Sequence, residues 1–137
     1  MKTARIVVLS VLLVSLLLGL AACGSSGTAG VSNLTLSSDK AGTDKKTTFA
    51  PKDTIYLNAD VNKVADGTKF EVKWFALNVK GQDANAPFLT SDVTWKSGAH
   101  NLTASANVKD PGFPVGKYRV EVDMSGKKAA EQPFEVQ

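Results

Sequence analysis

The chain carries one histidine and one cysteine, and these are the side chains from which catalysis would most readily be built. Hydrolysis needs a nucleophile, a base and an orienting acid that converge in space. His100 stands beside Ser97-Gly98-Ala99, without a Gly-x-Ser-x-Gly elbow or a catalytic pair of carboxylates. We therefore interpret His100 as a partly exposed turn or strand-start residue and expect the protein not to be an enzyme.

The same scarcity of histidine and cysteine bears on metal binding. A structural zinc site takes four ligands of the Cys or His type, which this chain cannot supply. The loop acids of this chain do not match the spacing of an EF-hand. Because lysines lie beside them, we interpret these carboxylates as solvated, and calcium bound in the loops is the open alternative. We expect no metal and no cofactor. The acids concerned are Asp39, Asp44, Asp53 and Asp110.

Exposed aromatic rings would be the best sign of a binding surface, since such rings stack on sugars or dock into a protein. Strand parity directs Tyr56 and Phe75 outward, and Trp95 precedes a glycine turn. A β-bulge would turn Phe75 inward, and Trp95 is as well placed to cap the domain. We predict Tyr56, Phe75 and Trp95 as the candidate partner contacts.

The cysteine belongs to an N-terminal segment with its own pattern. Lys2 and Arg5 precede an apolar run over residues 6–20, and Ala21-Ala22 leads directly into Cys23. This order is typical of a secretory signal, and the run is shorter than the roughly 20 residues of a membrane-spanning helix. Because of the cysteine after Ala-Ala, the segment resembles a bacterial lipoprotein signal with its lipobox. The resemblance implies cleavage of residues 1–22 and lipid on Cys23.

Residues 23–30 are rich in glycine and serine, which predicts a flexible tether between the lipidated cysteine and a folded domain. The lipoprotein resemblance implies a cell-envelope protein attached to a membrane through Cys23. Gly24, rather than aspartate, follows the cysteine. By resemblance to lipoprotein sorting, this implies the outer membrane, facing the periplasm or the surface, in a bacterium with two membranes. In a bacterium with one membrane, the lipoprotein resemblance implies the outer face of the cytoplasmic membrane.

The charge and the cysteine count of residues 23–137 bear on two questions, whether the protein binds nucleic acid and whether it contains a disulfide. Loss of Lys2 and Arg5 from 16 basic residues leaves 14 against 13 acidic ones, so the net charge falls from +3 to +1. This gives no electrostatic footprint for nucleic acid, and we expect no nucleic-acid partner. With Cys23 the only cysteine, the domain must fold without a disulfide.

Residues 31–137 alternate apolar and polar side chains, which predicts an all-β domain. Pro133, in the last run, suggests an edge position, and Ser125-Gly126 predicts a tight hairpin. The four strongest runs cover residues 55–61, 70–76, 102–108 and 118–124. Weaker runs lie at Leu34 with Leu36, at 89–95 and at 130–136.

About seven strands in about 105 residues predict an antiparallel two-sheet sandwich with Greek-key connections. Trp74 lies in the middle of the third run, and Tyr118 follows Pro114-Val115-Gly116-Lys117 at the start of the sixth. With these residues in place, the region resembles immunoglobulin-like and fibronectin type III-like β-sandwich domains, in which a core tryptophan and a tyrosine corner occupy such positions. The missing cysteine pair favours the branch without a disulfide.

The fold alone does not specify a function. We expect a lipid-anchored, non-enzymatic envelope protein that acts as a protein-binding or scaffold module for another envelope protein, made more effective by confinement at the membrane. One alternative is a module that binds glycan or peptidoglycan through Trp95, Tyr56 or Phe75. Another is an inhibitor of an envelope enzyme. The polar loop at residues 80–87 is a candidate recognition loop.

Overall fold

A computed structural model describes residues 30–137, which form eight β-strands and contain no helix. The predicted signal peptide and Cys23 lie outside the described residues, as does the predicted tether apart from Gly30, which begins β1. The strands are β1 (Gly30–Ser37), β2 (Thr48–Phe49), β3 (Ile55–Asn62), β4 (Lys69–Asn78), β5 (Leu89–Thr94), β6 (Asn101–Ala106), β7 (Gly116–Met124) and β8 (Lys127–Val136).

The strands form two sheets, with the orders β1-β3-β6 and β2-β8-β7-β4-β5. The all-β prediction is confirmed, and all seven predicted strands are present. The eighth is β2, whose two residues pair in parallel with Glu135 and Val136 of β8. A two-residue strand shows no alternation, so periodicity could not reveal it. Its parallel pairing is also an exception to the expected antiparallel arrangement.

Alternation along the strands places one hydrophobic core between the sheets. On β3, every second residue from Ile55 to Val61 is buried, while the residues between them are half-buried. Trp74 is fully buried and meets the ring of Phe134 edge-on at 5.9 Å between centroids. Each large side chain buried in this way contributes about 1.5–3 kcal/mol. Packing of this kind lets the domain fold without a disulfide.

Two local predictions concern β7 and β8. Ser125 and Gly126 have φ values of 51° and 81° and join the strands as a two-residue hairpin, which confirms the predicted turn. Pro133 pairs with Arg119 of β7, whereas on its other side β8 meets only the short β2, at residues 135 and 136. The predicted edge position is thus met only in part: β2 is the outermost strand, but at Pro133, where the ladder donor is missing, β2 does not pair with β8.

The strands run between two ends of the domain. Gly30 pairs with Asn62, and Phe70 pairs with Met124, so the N-terminus lies at the same end as the turns that follow β3 and β7. We call this end the N-terminal pole; it comprises Gly30 and residues 63–68, 95–100 and 125–126. The opposite end, the distal pole, comprises the end of β4, the loop at 79–88 and the loop at 107–115.

Candidate functional site

An apolar cavity of about 340 Å³ opens at the distal pole. It lies between the end of β4, the β4–β5 loop and the β6–β7 loop, and the side chains of Gln82 and Tyr118 complete its lining. Its volume is at the lower end of the range of small binding pockets, about 300–1,000 Å³. The apolar lining comes from Ala76, Phe88, Val108, Pro111, Phe113 and Pro114.

Three aromatic rings form one wall of this cavity. Phe88, Phe113 and Tyr118 meet edge-on, with centroid separations of 5.9 to 6.1 Å. Edge-to-face contacts of this kind fix ring orientation and stabilise by about 0.5–1.5 kcal/mol each beyond area burial. The wall is therefore rigid and presents hydrocarbon to whatever enters.

Tyr118 also fixes the loop that carries the other wall. Its hydroxyl donates a hydrogen bond of 2.5 Å to the carbonyl oxygen of Pro114, four residues upstream. This is the bond expected of a tyrosine corner. Burial raises the pKa of the Tyr118 phenol above its ordinary value of 10.0, so the hydroxyl remains a donor at neutral pH.

A close backbone contact holds the same loop against the segment before β3. Gly112 has a φ of 100°, and a Cβ at this position would lie 2.4 Å from the carbonyl oxygen of Pro51. The amide of Phe113 donates to that oxygen at 2.7 Å. Only glycine fits at residue 112, because any side chain would push these two segments apart.

Three large apolar side chains are exposed in or toward the end of the domain that holds this cavity. Val108 lines the cavity and is 37% exposed, and Val115, next to the lining residue Pro114, is 67% exposed. Leu77, near the end of β4, is the third exposed large hydrophobic residue within residues 30–137. All three lie toward the distal pole. Exposed apolar patches mark interaction surfaces more often than chance would give.

The three aromatic residues predicted as contacts do not come together. Phe75 is on the outer face of the five-stranded sheet, as parity predicted, yet it is only 6% exposed because the guanidinium of Arg119 covers its ring at 4.8 Å. Trp95 is 5% exposed and packs edge-on against Phe70 at the N-terminal pole. Both rings are thus buried, and Trp95 caps the core, which is one of the two positions that its sequence context allowed. Tyr56 is half-buried on the outer face of the three-stranded sheet.

The residues considered for catalysis or metal binding are placed as follows. His100 is exposed at the N-terminal pole, in the loop before β6. Asp39 accepts hydrogen bonds from Thr43 and from the amide of Asp44, and Asp110 pairs with Lys52 at 3.0 Å. Within residues 30–137, three or more His, Cys, Asp or Glu side chains nowhere gather as a metal site would need. That part of the chain also has no helix long and apolar enough to cross a membrane.

The apolar cavity was not predictable from the sequence, because three separate chain segments form it. One signal pointed to it: the run Phe113-Pro114-Val115 places apolar residues in a loop between two glycines. Loop residues that are apolar and stay close to a turn either pack on the core or line a surface site, and here they do both.

Comparison with known proteins adds the fold alone. The chain matches no family model and no curated protein. Among solved structures it is similar to the alkylpurine DNA glycosylase AlkC of Pseudomonas fluorescens bound to DNA containing an abasic site analogue. The TM-score is 0.53 at 12% identity, over 81% of this chain and 31% of the glycosylase. This chain therefore spans less than a third of that protein, and at such low identity the likeness concerns only the fold.

Two further structures resemble this chain more loosely. One is a Bacillus anthracis protein assigned as a lipoprotein, with a TM-score of 0.41 and 11% identity over 68% of this chain and 70% of that one. The other is the β-glucosidase of Kluyveromyces marxianus, with a TM-score of 0.43 and 20% identity over 77% of this chain and 14% of the enzyme.

Proposed function

We propose that this protein is a lipid-anchored, non-enzymatic envelope protein whose distal pole binds an apolar segment of another envelope protein. The observation that carries the proposal is the apolar cavity of about 340 Å³, with Val108 exposed in its lining and Val115 exposed next to its lining residue Pro114. Side chains that carry a formal charge are absent from its lining among residues 30–137. An apolar side chain of a partner would therefore bury its surface there without leaving a charge unpaired.

The proposal includes assignment of the domain as an immunoglobulin-like β-sandwich. Three features support this assignment: the two-sheet strand order, Trp74 fully buried in the core, and the hydroxyl of Tyr118 bonded to the backbone at Pro114. The fold supplies rigid sheets from which loops project at each pole. Binding through such loops is a common use of this architecture.

The position of Gly30 would set the orientation of the cavity relative to the membrane. Gly30 lies at the N-terminal pole, so a lipid on Cys23 would hold that pole beside the membrane. Strands of eight to ten residues then place the distal pole about 30 Å further out. The predicted tether adds an average of roughly 15 Å. The cavity would thus face a partner that extends above the same membrane, at a raised effective concentration.

Site-specific photo-crosslinking in cells tests this function. A photoreactive residue replaces Val115 at the distal pole, and the control replaces Lys127, exposed beside the turn at the N-terminal pole. We expect one envelope protein to crosslink from position 115 and not from position 127. Val108→Asp places a charge at the cavity rim and should lower that crosslink about tenfold.

The anchor has its own test in the same cells. Cys23→Ser, secreted without lipid, should keep the domain folded and lose most of the crosslink, because the partner is then no longer confined beside it. Equal crosslinking from both positions, or a crosslink at position 115 that Val108→Asp leaves unchanged, would refute the distal pole as the binding surface. Full crosslinking and function of the soluble form would refute the role of the lipid.

A further inference from the structure

The outer face of the three-stranded sheet carries amide and hydroxyl side chains in a regular grid. The register sets Ser32, Asp60 and Asn101 in one row across the strands, and Thr35, Asn58 and Thr103 in the next. We call these six residues the amide face. Asp60 is its one ionisable group, and lysine and arginine do not occur in it.

A cavity of about 550 Å³ lies over the amide face. Its floor includes Asn58, Asp60 and Asn101, and the loop at residues 38–46 forms its wall. The loop backbone approaches the floor closely, since a Cβ on Gly42 would lie 3.0 Å from the side-chain nitrogen of Asn58. The volume falls within the range of ligand-binding clefts, about 300–1,000 Å³.

The loop that forms the wall is held by one carboxylate. Asp39 Oδ2 accepts hydrogen bonds from the amide and the hydroxyl of Thr43 at 3.1 and 2.9 Å, and Oδ1 accepts from the amide of Asp44 at 2.6 Å. These bonds, that from Asp44 foremost, lower the pKa of the Asp39 carboxyl below 3.8. The carboxylate is thus ionised at neutral pH, and the wall is organised before any ligand arrives.

A β-bulge in β1 directs one more amide to this cavity. The register shifts between Ser32 and Thr35, and Asn33 takes a φ of 50°, a conformation that asparagine tolerates well. Its Nδ2 donates to Asp60 Oδ2 at 2.7 Å and so orients that carboxylate. Asn101 and Thr103 make no side-chain hydrogen bond to another residue of 30–137, which leaves their polar atoms to solvent or a ligand.

We propose that the amide face binds a neutral glycan chain. Each asparagine amide both donates and accepts, as each sugar hydroxyl does, and Asp60 adds a strong acceptor. An anionic polymer would meet Asp60 in the floor, and among the residues that line the cavity Lys45 is the one cation that offsets it. Tyr56 lies two residues before Asn58 on the same side of β3, where its half-buried ring offers an apolar surface to a sugar ring.

Titration by NMR of the full-length protein in mild detergent tests this site. The probes are cellotetraose, maltotetraose and tetra-N-acetylchitotetraose, each up to about 10 mM. We expect at least one to shift the side-chain amides of Asn33, Asn58 and Asn101 in a saturable manner, while Asn78, outside the amide face, does not move. Asn58→Ala should weaken binding by about three- to tenfold.

Matched variants separate a glycan site from a general effect on the fold. Glu131→Ala, on the other sheet, should leave the titration unchanged, as should Val108→Asp at the distal pole. The proposal is overturned if none of the three probes shifts these amides, or if Asn58→Ala leaves the affinity as it was. Binding of polygalacturonate in place of the neutral probes would overturn the neutral class. The distal pole is tested separately, by crosslinking, so the two results are independent.

Discussion

The two outer faces of the domain are both polar, but they differ in how far their polar side chains are paired with one another. On the five-stranded sheet the outward residues are mostly charged and lie in contact with one another. We call this the charged face, formed by Glu71, Lys73, Arg119, Glu121, Asp123, Lys128 and Glu131. On the three-stranded sheet the amide face carries one carboxylate among neutral groups.

Most charged groups of the charged face are paired with one another. Lys73 Nζ lies 2.7 Å from Asp123 Oδ2 and 3.1 Å from Glu71 Oε2. Arg119 and Glu121 approach to 2.8 Å. The Lys73–Asp123 pair joins β4 to β7, whereas Lys73–Glu71 and Arg119–Glu121 each lie within one strand. Asp123 Oδ1 and Arg119 Nε have no hydrogen-bond partner among residues 30–137, but both atoms are buried, so little of the bonding capacity of this face is left for another molecule.

The amide face is the reverse case. Two of its side chains bond to residues outside the set: Asn33 Nδ2 donates to Asp60 Oδ2 at 2.7 Å, and Asn58 Nδ2 donates to Ser37 Oγ over a long 3.4 Å. Groups of this kind stabilise the fold little, since water serves them equally well in the unfolded chain. Internal pairing, rather than polarity, therefore separates a face that supports stability from one available to a ligand.

The largest expected effect comes from breaking the central ion pair of the charged face. Asp123 is only 7% exposed, and Asp123→Asn removes the charge that Lys73 contacts most closely. We expect the free energy of unfolding to fall by about 1.5–3 kcal/mol, as for a lost hydrogen bond between charged groups. Urea denaturation at neutral pH measures this loss.

Asp60→Asn is the matched change on the amide face. It removes the one carboxylate of that face, which accepts a hydrogen bond from the neutral amide of Asn33. We therefore expect the free energy of unfolding to change by no more than about 0.5 kcal/mol. Equal losses in the two variants would contradict the distinction between the faces. The slope of the denaturation curve should stay the same in both, since neither change alters the surface exposed on unfolding.

A smaller effect is expected at Arg119, which covers Phe75. Arg119→Met keeps an apolar side chain over the ring of Phe75 but removes the cation that lies 4.8 Å from the ring centroid. We expect the free energy of unfolding to fall by about 1 kcal/mol. In a double-mutant cycle with Phe75→Leu, we expect a coupling of about 0.5–1 kcal/mol. Arg119→Met combined with Tyr56→Leu, on the opposite face, should be additive. Coupling there, or none with Phe75, would argue against a local cation–π contact.

Much of the fold was predictable from the sequence. Strict alternation in β3 and β7 placed the core, and Ser125-Gly126 placed a hairpin, because both signals are local. The short β2 was not predictable, since its pairing with β8 joins residues that are distant in the chain. Cys23, the best-defined site in the sequence, lies outside the described residues, and its lipidation stays a prediction.

The candidate sites were less predictable. The alternation in β4 predicted the side of the sheet on which Phe75 lies. It could not predict that Arg119 buries the ring, because Arg119 belongs to another strand, β7. The distal cavity and the amide face each combine three chain segments. Their assembly depends on strand register, and a single sequence does not specify register across such distances.

The smallest expected effect is a difference in acid sensitivity between the two faces. The hydrogen bond from Lys128 lowers the pKa of Glu131 below 4.5, so its stabilisation is present above that pH and is lost as pH falls through the lowered value. Glu131→Gln should unfold at slightly lower urea than the wild type at about pH 7. The two midpoints should converge as pH falls below 4.5, through the lowered pKa of Glu131.

Asp39, in the wall beside the amide face, should lose its stabilisation below pH 3.8, and for a different reason. Its partners are backbone amides, whereas the partner of Glu131 is an exposed ammonium. Salt at about 1 M screens exposed ion pairs strongly, so it should abolish the effect of Glu131→Gln and leave that of Asp39→Asn largely intact. The latter should also shift the amide signals of Thr43 and Asp44. Equal salt sensitivity of both variants would mean that the wall is held by charge, as the charged face is.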